Sequence, residues 1–454
     1  MWFRLIPAAM SSPPATAWIW GRAILWLGVY LALVLAPLFV LLAESAPGGG
    51  GFWYDLSLAL GFAGAAMMAV QFVLTARFKR MTAPYGIDIV YYFHRYLAVV
   101  GVLIVLAHPI ILVVADPVYL TYLDPTEAAW HMTAGVVSVV LLLLLVAVSL
   151  LRRRLGLHYD EWRATHAVLA ILAVGLAFAH IDGVGYYVSS GWKRGLWMLI
   201  AASWIGIIVY VRLAKPLLLL RHPYRVVAVT AERGDAWTLV VEPEGHAGMR
   251  FTPGQFAWLV LRSSPFAMRE HPFSISSAPR TSGGVEFTIK ELGDFTSTIG
   301  TVQPGEICYL DGPYGSFGIA GSHAAELVFI AGGIGIAPMA SILRFLAEQG
   351  DRRPLTLIHA CGSWSRVPMR DEMTCLAERL ALRVVWVVED APPDWRGEVG
   401  RVDQALLDRH LPSDRTAVEV LVCGPMPMID SVEHALYRLG VPMGNSHSEL
   451  FDLV

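Results

Sequence analysis

The sequence predicts a multi-domain membrane protein: a six-helix transmembrane bundle, then an antiparallel β-barrel, then an open α/β sheet. Three observations predict it. Hydrophobic residues make up 56% of the chain, above the share of a soluble domain, and they are unevenly placed. The charges divide too: residues 1–221 hold 15 Lys and Arg against 9 Asp and Glu, whereas residues 222–454 hold 19 against 28. The hydrophobic period also changes twice. Long apolar runs give way to alternation after Arg221, and alternation gives way to buried strands spaced by helices from residue 323. The expected domains are therefore 1–221, 222–322 and 323–454.

Six apolar runs, at 18–43, 55–76, 87–115, 126–151, 161–181 and 192–214, have the length a helix needs to cross a hydrocarbon core of roughly 30 Å. No cleavage site precedes the first run, so it is expected to be a span and not a removed leader. Arg77, Lys79 and Arg80 follow the second span, Arg152, Arg153 and Arg154 the fourth, and Arg212, Lys215 and Arg221 the sixth. The opposite loops carry only Lys193 and Arg194. Basic loops stay inside, which puts both termini and the soluble half in the cytoplasm, beneath an inner (plasma) membrane. The acidic soluble half argues against nucleic acid, which needs a basic face. Cys308, Cys361, Cys375 and Cys423 all lie in that half without metal-type spacing, as free thiols in a reducing compartment would.

Two of the spans carry paired histidines. The third holds His94 and His108, the fifth His166 and His180, with thirteen residues between the members of each pair. Fourteen helical steps of about 100° return to nearly the same face and climb about 21 Å. Parallel helices would therefore oppose His94 to His166 and His108 to His180 at two depths. That is bis-histidine ligation for two stacked b-type haems. A lone histidine in a span can equally serve a hydrogen bond to a neighbouring helix, but ionisable groups in membranes are costly and mark function. His131 and His158 have no partner at ligand spacing and are expected to make interfacial hydrogen bonds. Arg95 and Arg163, near the His94/His166 level, could meet haem propionates or simply snorkel.

The alternating runs YRVVAVTAE, WTLVVEPE, FAWLVLR, VEFTIKEL and EICYLDGP predict the small barrel. Beyond it, the turn AGGIGIAP at 331–338 joins the strand LVFI to a helix. Its glycines let the backbone approach a pyrophosphate, and the helix N-terminus offers N–H groups. Such turns also serve tight strand–helix packing, and Ala337-Pro338 departs from the G-x-G-x-x-G pattern.

With HPFSISSAP at 271–279, IKELGDFT at 289–296 and GPYGSF at 312–317 in order, the soluble half resembles the ferredoxin–NADP reductase family. With the membrane half included, the chain resembles the NADPH oxidase/ferric reductase superfamily, especially its bacterial NADPH oxidase-like members. The resemblance implies FAD and NADPH as cofactors beside the two haems. His271, Pro272, Phe273 and Ser274 match the flavin motif, with Phe273 against the isoalloxazine and the Ser274 hydroxyl near its N5. Ile275 and Ser276 continue that strand. Lys290, Gly293 and Thr296 match the segment that holds the FAD pyrophosphate. Gly332, Gly333, Gly335 and Pro338 match the nicotinamide-nucleotide phosphate loop. Cys423, Gly424 and Pro425 match the motif whose sulfur lies beside the nicotinamide. Glu449 and Phe451 match the C-terminal acid and aromatic, with Phe451 covering the flavin until nicotinamide displaces it.

After the second strand of the α/β sheet, Ser363 and Arg366 come before the acids Asp371 and Glu372, which favours NADPH over NADH because an arginine suits a 2′-phosphate. The expected activity is transfer of electrons from cytosolic NADPH through FAD and two b haems to an outside acceptor. Oxygen, giving superoxide, comes first and a ferric or cupric chelate second. The position one turn beyond His108, where animal oxidases carry a further histidine, is Leu112 here, and span one has no mid-membrane arginine. No calcium-binding loop or added regulatory domain is evident, so no regulatory partner is expected. A haem-free receptor or transporter fused to a flavin reductase is the reading of another class.

Overall fold

The computed structural model describes residues 13–42, 50–78, 87–185, 188–319 and 321–450. The described residues fall into two compact units, one built mainly of 21–78 with 89–216 and the other of 217–450.

The membrane unit contains α1 (Pro13–Leu42), α2 (Phe52–Thr75), α3 (Ile87–Ala115), α4 (Trp130–Leu151), α5 (Tyr159–Val184) and α6 (Gly191–Val209). A π-helical turn (Tyr210–Ala214) follows α6 and leads into α7 (Lys215–Leu220). Pro216, which has no N–H to return to the Arg212 carbonyl, sits where the helix widens. Among the described residues, five helical stretches are long and apolar enough to cross a membrane: Phe52–Thr75, Val90–Ala115, Trp130–Leu151, Tyr159–Val184 and Gly191–Leu220. Within α1 the apolar stretch is shorter, Ile24–Pro37, so five spans and not the expected six meet that length among the described residues. Helices are what such apolar sequences must form in lipid, because no water is there to satisfy a bare backbone.

Small residues bring these helices close. A run of alanines and glycine at 63–66 buries the middle of α2. A Cβ on Gly64 would strike the Val105 backbone at 3.2 Å, and one on Gly135 would meet the His180 ring at 2.8 Å. The Ser138 hydroxyl of α4 donates to the Ala173 carbonyl of α5 at 2.7 Å. Trp197 and Trp204 of α6 pack on Phe62 and Phe72 of α2, with ring centres 5.1 and 5.6 Å apart. His158 caps α5: its backbone N–H donates to Glu161 in a capping box, and the helix ends on Gly185 in the left-handed region.

The soluble unit begins with a curled six-stranded antiparallel sheet, ordered β4-β3-β6-β1-β2-β5. Its strands are β1 (Pro223–Glu232), β2 (Ala236–Pro243), β3 (Phe256–Leu261), β4 (His271–Ser274), β5 (Val285–Lys290) and β6 (Ile307–Tyr314). The curl brings the end of β4 to β5. Ile275 pairs with Phe287, and the Ser276 N–H donates to the Glu286 carbonyl at 2.8 Å. Leu239, Val241, Leu259, Ile275, Phe287 and Ile289 fill the inside.

The second sheet is wholly parallel, in the order β10-β9-β8-β7-β11-β12. It comprises β7 (Glu326–Gly332), β8 (Leu355–Ser363), β9 (Leu382–Asp390), β10 (Glu398–Val399), β11 (Val418–Gly424) and β12 (Ser446–Leu450). Helices α8 (Ile336–Gln349), α9 (Arg370–Arg379), α10 (Gln404–His410) and α11 (Met426–Arg438) connect them. Leu327, Phe329 and Ala331 of β7 enter one buried cluster, Val328 and Ile330 another. A strand covered on both faces has to be apolar throughout, as LVFIA is. From β7 the chain winds outward through β8 and β9 and returns to β11 on β7's other side. The strand order therefore reverses between β7 and β11, where open α/β sheets bind ligands.

Candidate functional site

The structure brings the four span histidines together in two couples. The rings of His94 (α3) and His166 (α5) are 6.4 Å apart between centres, and those of His108 and His180 are also 6.4 Å apart. A metal bonded at about 2 Å to one nitrogen of each ring would hold the centres about 6.3 Å apart.

Each imidazole has its Nδ1 engaged. His94 Nδ1–H donates to Gln71 Oε1 at 2.8 Å, and His166 Nδ1–H to Ser149 Oγ at 3.1 Å. Nδ1–H of His108 donates to the Ser57 carbonyl at 3.0 Å, with the Ser57 hydroxyl 2.9 Å away. His180 Nδ1–H donates to the His131 carbonyl at 2.9 Å. A ring that donates from Nδ1 carries its lone pair on Nε2, which is how metal-ligating histidines are oriented. Among the described residues no hydrogen bond engages any of the four Nε2 atoms. Nor does any group of three or more His, Cys, Asp or Glu side chains gather as for a bare metal ion. Two opposed imidazoles are what an iron already held by four equatorial nitrogens requires, so the residues fit haem. The glycines fit as well: a Cβ on Gly61 would crowd the His108 ring at 3.2 Å, as one on Gly135 would crowd His180.

Gln71, Ser57 and Ser149 escape a reading by ligand spacing. The only signal they offer is a polar residue inside an apolar span, of which the sequence has several. His131 contributes its carbonyl, while its ring packs on Trp130.

In the soluble unit, the phosphate-loop and Cys-Gly-Pro candidates meet at the strand reversal. Cys423 pairs with Ala331 across β7 and β11, and with Glu449 across β11 and β12. The glycines of the loop divide into two roles. A Cβ on Gly335 would fall on the Cys423 carbonyl, and one on Gly332 would press on Met428 Sδ at 2.7 Å, so these two serve close packing. Gly333 is in the left-handed region at φ +54 with nothing within 4 Å of its absent side chain, so it leaves backbone open to a ligand. Pro338 sits in the first turn of α8, where a missing N–H costs nothing. Pro425 precedes α11, so both helix N-termini begin at the reversal.

Below the loop, His359 of β8 is fully buried and its Nε2–H donates to the Gly333 carbonyl at 3.0 Å. Burial holds its pKa down at about 4, which keeps the ring neutral. Burial, and secondarily the Glu449 carboxylate, pushes the Cys423 thiol well up, so this sulfur is a positioning surface and not a nucleophile. Burial also raises the Cys361 thiol, against the charge of nearby Lys290.

The flavin-motif residues line β4 and the loop after β5. His271 stacks on Phe295 at 3.9 Å between centres, and Phe273 lies nearly parallel to the same ring at 6.0 Å. Ser274 is buried at the end of β4. The Ser276 hydroxyl accepts from Thr288, which also contacts Thr238 inside the sheet, so Ser276 braces the curl. The Thr296 hydroxyl accepts from the N–H groups of Leu292 and Gly293 at 2.8 and 2.9 Å, fixing a loop whose Gly293 is open to approach. Gln255 ties the region together: its carbonyl accepts from Ile275 N–H and its side chain donates to the Gly315 carbonyl at 3.0 Å. Glu449 reaches this loop, 3.5 Å from where a Gly315 Cβ would stand. The open Gly293 and the flat aromatic edge fit a flavin dinucleotide. Phe451 lies outside the described residues.

Arg366, expected at the coenzyme ribose, pairs with Asp235 of the β1–β2 hairpin, and Arg233 pairs with Asp371 at 2.6 Å. Ser363 ends β8 and contacts Ser365 at 3.4 Å. Arg344 of α8 donates to Glu286 of β5 at 2.6 Å and pairs with Glu372. These bonds join the curled sheet to the parallel one.

Residues 60–177 match the family described as ferric reductase like transmembrane component, and residues 329–434 match the oxidoreductase NAD-binding domain. A ferric reductase-like membrane domain followed by a ferredoxin-reductase-type domain with its NAD-binding lobe defines a membrane oxidoreductase, with the architecture of the NADPH oxidase/ferric reductase superfamily. Two of the relatives are reductase components and a third is a flavohemoprotein. The chain is 30% identical over 236 residues to the stachydrine N-demethylase reductase subunit Stc4 of Rhizobium meliloti, covering 51% of this chain and 66% of that protein. It is 32% identical over 226 residues to the propane 2-monooxygenase reductase component of Rhodococcus jostii, covering 48% and 60%. It is 25% identical over 304 residues to a flavohemoprotein of Bordetella pertussis, covering 64% and 69%. The match thus spans less than two thirds of the first two relatives' own length, 66% and 60%.

Proposed function

We propose that this protein passes electrons from cytosolic NADPH through FAD and two b haems to an acceptor beyond the membrane, most directly oxygen, giving superoxide. The observation that carries the reading is the four imidazoles: opposed in two couples at metal-spanning distance, each committed through Nδ1 and open at Nε2. Bound there, flavin supplies acceptance of a hydride's two electrons and their release one by one, and haem iron supplies one-electron carriage.

The chain's own residues do the placing. His94 and His166 would hold the haem nearer the cytoplasm, His108 and His180 the one nearer the outer face. Gly333 and the start of α8 would take the coenzyme pyrophosphate, and His359 fixes that loop from beneath. Cys423, an undissociated thiol, gives the nicotinamide a soft wall against which to lie. Phe273, Lys290 and Gly293 would seat the flavin, with Phe451 as its cover. Arg366 would read the 2′-phosphate of NADPH. Six spans, a closed barrel and a separate nucleotide domain belong to the same proposal. A second acceptor, a ferric or cupric chelate, is favoured by the match of 60–177 to a ferric reductase-like component.

The deciding experiment is an anaerobic absorbance spectrum of purified protein with FAD, before and after NADPH, followed by air. Sharp b-type bands that appear with NADPH and collapse in air, with dismutase-sensitive superoxide, are expected. Bands that persist in air but bleach with a ferric chelate would move the acceptor to metal. Absence of bands from a haem-replete preparation would overturn the proposal.

A further inference from the structure

The two histidine couples differ in whether a backbone acceptor backs them. His180 donates to the His131 carbonyl, and His108 to the Ser57 carbonyl at 3.0 Å with the Ser57 hydroxyl oxygen as a second acceptor at 2.9 Å. His94 and His166 donate only to side chains, Gln71 Oε1 and Ser149 Oγ. A backbone carbonyl is present whatever the residue. A side-chain acceptor is present only because that residue type stands there.

Gln71 is buried, with 6% of its surface exposed, and among the described residues its amide nitrogen has no hydrogen-bond partner. A buried polar group with unmet hydrogen-bonding capacity costs stability, so packing gives no reason for a glutamine here. Among the described residues, the bond to His94 is the one hydrogen bond its side chain makes. Ser149 is equally committed. Its hydroxyl hydrogen goes to the Leu145 carbonyl at 2.8 Å, and its lone pairs accept His166 Nδ1–H and, at 3.4 Å, the Trp162 indole N–H. With its proton turned to Leu145, the oxygen can only accept from His166.

The acceptor on Nδ1–H governs how electron-rich the opposite nitrogen is, and hence how strongly it favours the oxidised metal. We propose that Gln71 and Ser149 are positioning residues by which the chain sets the reduction potential of the His94/His166 centre independently of the His108/His180 centre. The inference rests on the haem reading above.

The test is a redox titration of the full-length protein in detergent, followed at the haem absorption bands, on wild type, Gln71→Leu, Gln71→Glu and Ser149→Ala. Wild type is expected to show two one-electron waves. Gln71→Leu removes the acceptor and should raise one wave by about a tenfold change in reduced-to-oxidised ratio, about 59 mV for one electron. Gln71→Glu strengthens the acceptor and should lower the same wave. Ser149→Ala should raise that wave again, leaving the other in place, and it keeps the test open if either Gln71 variant fails to fold. Waves that do not move, that move together, or that move the same way for leucine and glutamate would overturn the proposal while leaving the haem reading intact. Wild-type protein without haem bands would overturn both.

Discussion

In the membrane unit the candidate site is made largely of side chains: four imidazoles, accepted by the side chains of Gln71 and Ser149 and by the backbone carbonyls of Ser57 and His131. In the soluble unit it is made largely of backbone: Gly333 in a left-handed turn, the N-termini of α8 and α11, and the ends of β7 and β11. The difference follows from solvent. A span in lipid must spend its N–H and C=O groups on its own helix, so what remains for a ligand is chiefly side chains. A parallel sheet flanked by helices leaves unsatisfied N–H groups at every helix start, and glycine lets a phosphate come near them. Substitutions should therefore act locally in the first unit and through backbone geometry in the second.

The sharpest separation is expected from His108→Ala. It should remove one of the two proposed b-type centres and cut electron delivery to an outside acceptor by about 100-fold, the upper end for damage around a metal site. Reduction of a soluble dye by NADPH should stay within about twofold, because dye takes electrons before the membrane. Loss of dye reduction as well would break the division between the units. Haem content and both assays decide it.

In the soluble unit, His359 should make stability depend on pH. Its folded pKa of about 4 lies below the ordinary 6.5, so the unfolded chain takes up the proton first as pH falls. The stabilisation is complete above 6.5 and drains away towards 4, by at most about 3 kcal/mol. In His359→Phe that slope should flatten, even though the Gly333 bond is lost. Thermal unfolding of both proteins across this window is the check.

Two glycine variants separate packing from conformation. Gly335→Ala places a methyl on the Cys423 carbonyl and should cost about 2 kcal/mol or more, as an overpacked site does. Gly333→Ala meets no atom but keeps a left-handed residue, and should cost about 1 kcal/mol. Equal costs in a melting experiment would mean that the loop does not pack as described. The smallest effect belongs to Arg366→Ala. Its pair with Asp235 is more than half exposed, so stability should change by less than about 1 kcal/mol. The KM for NADPH should rise while that for NADH does not. If both rise together, Arg366 does not read the 2′-phosphate.

Much of this was open to sequence reasoning, though not evenly. Spans two to six and the strands of both sheets follow from period and composition, because burial from water or in lipid is a repeating demand along the chain. The histidine couples follow from their spacing, since a helix turns a count of residues into a face and a height. The flavin and nucleotide residues were reached by resemblance, because a glycine turn alone does not say whether it packs or binds. The structure divides those roles among Gly332, Gly335 and Gly333, according to what stands opposite each one.

The sequence by itself determined which stretches are apolar enough to cross a membrane, where alternation begins, and which imidazoles share a helix face. Only the tertiary structure decided their partners. Gln71 meets His94 from another helix, Ser149 meets His166 from another, and Asp235 meets Arg366 from 131 residues away. A periodic pattern records which side of an element is buried but carries no information about which residue of a distant element arrives there. That is fixed by helix packing and sheet order, where a glycine in place of any larger residue sets how closely two backbones approach.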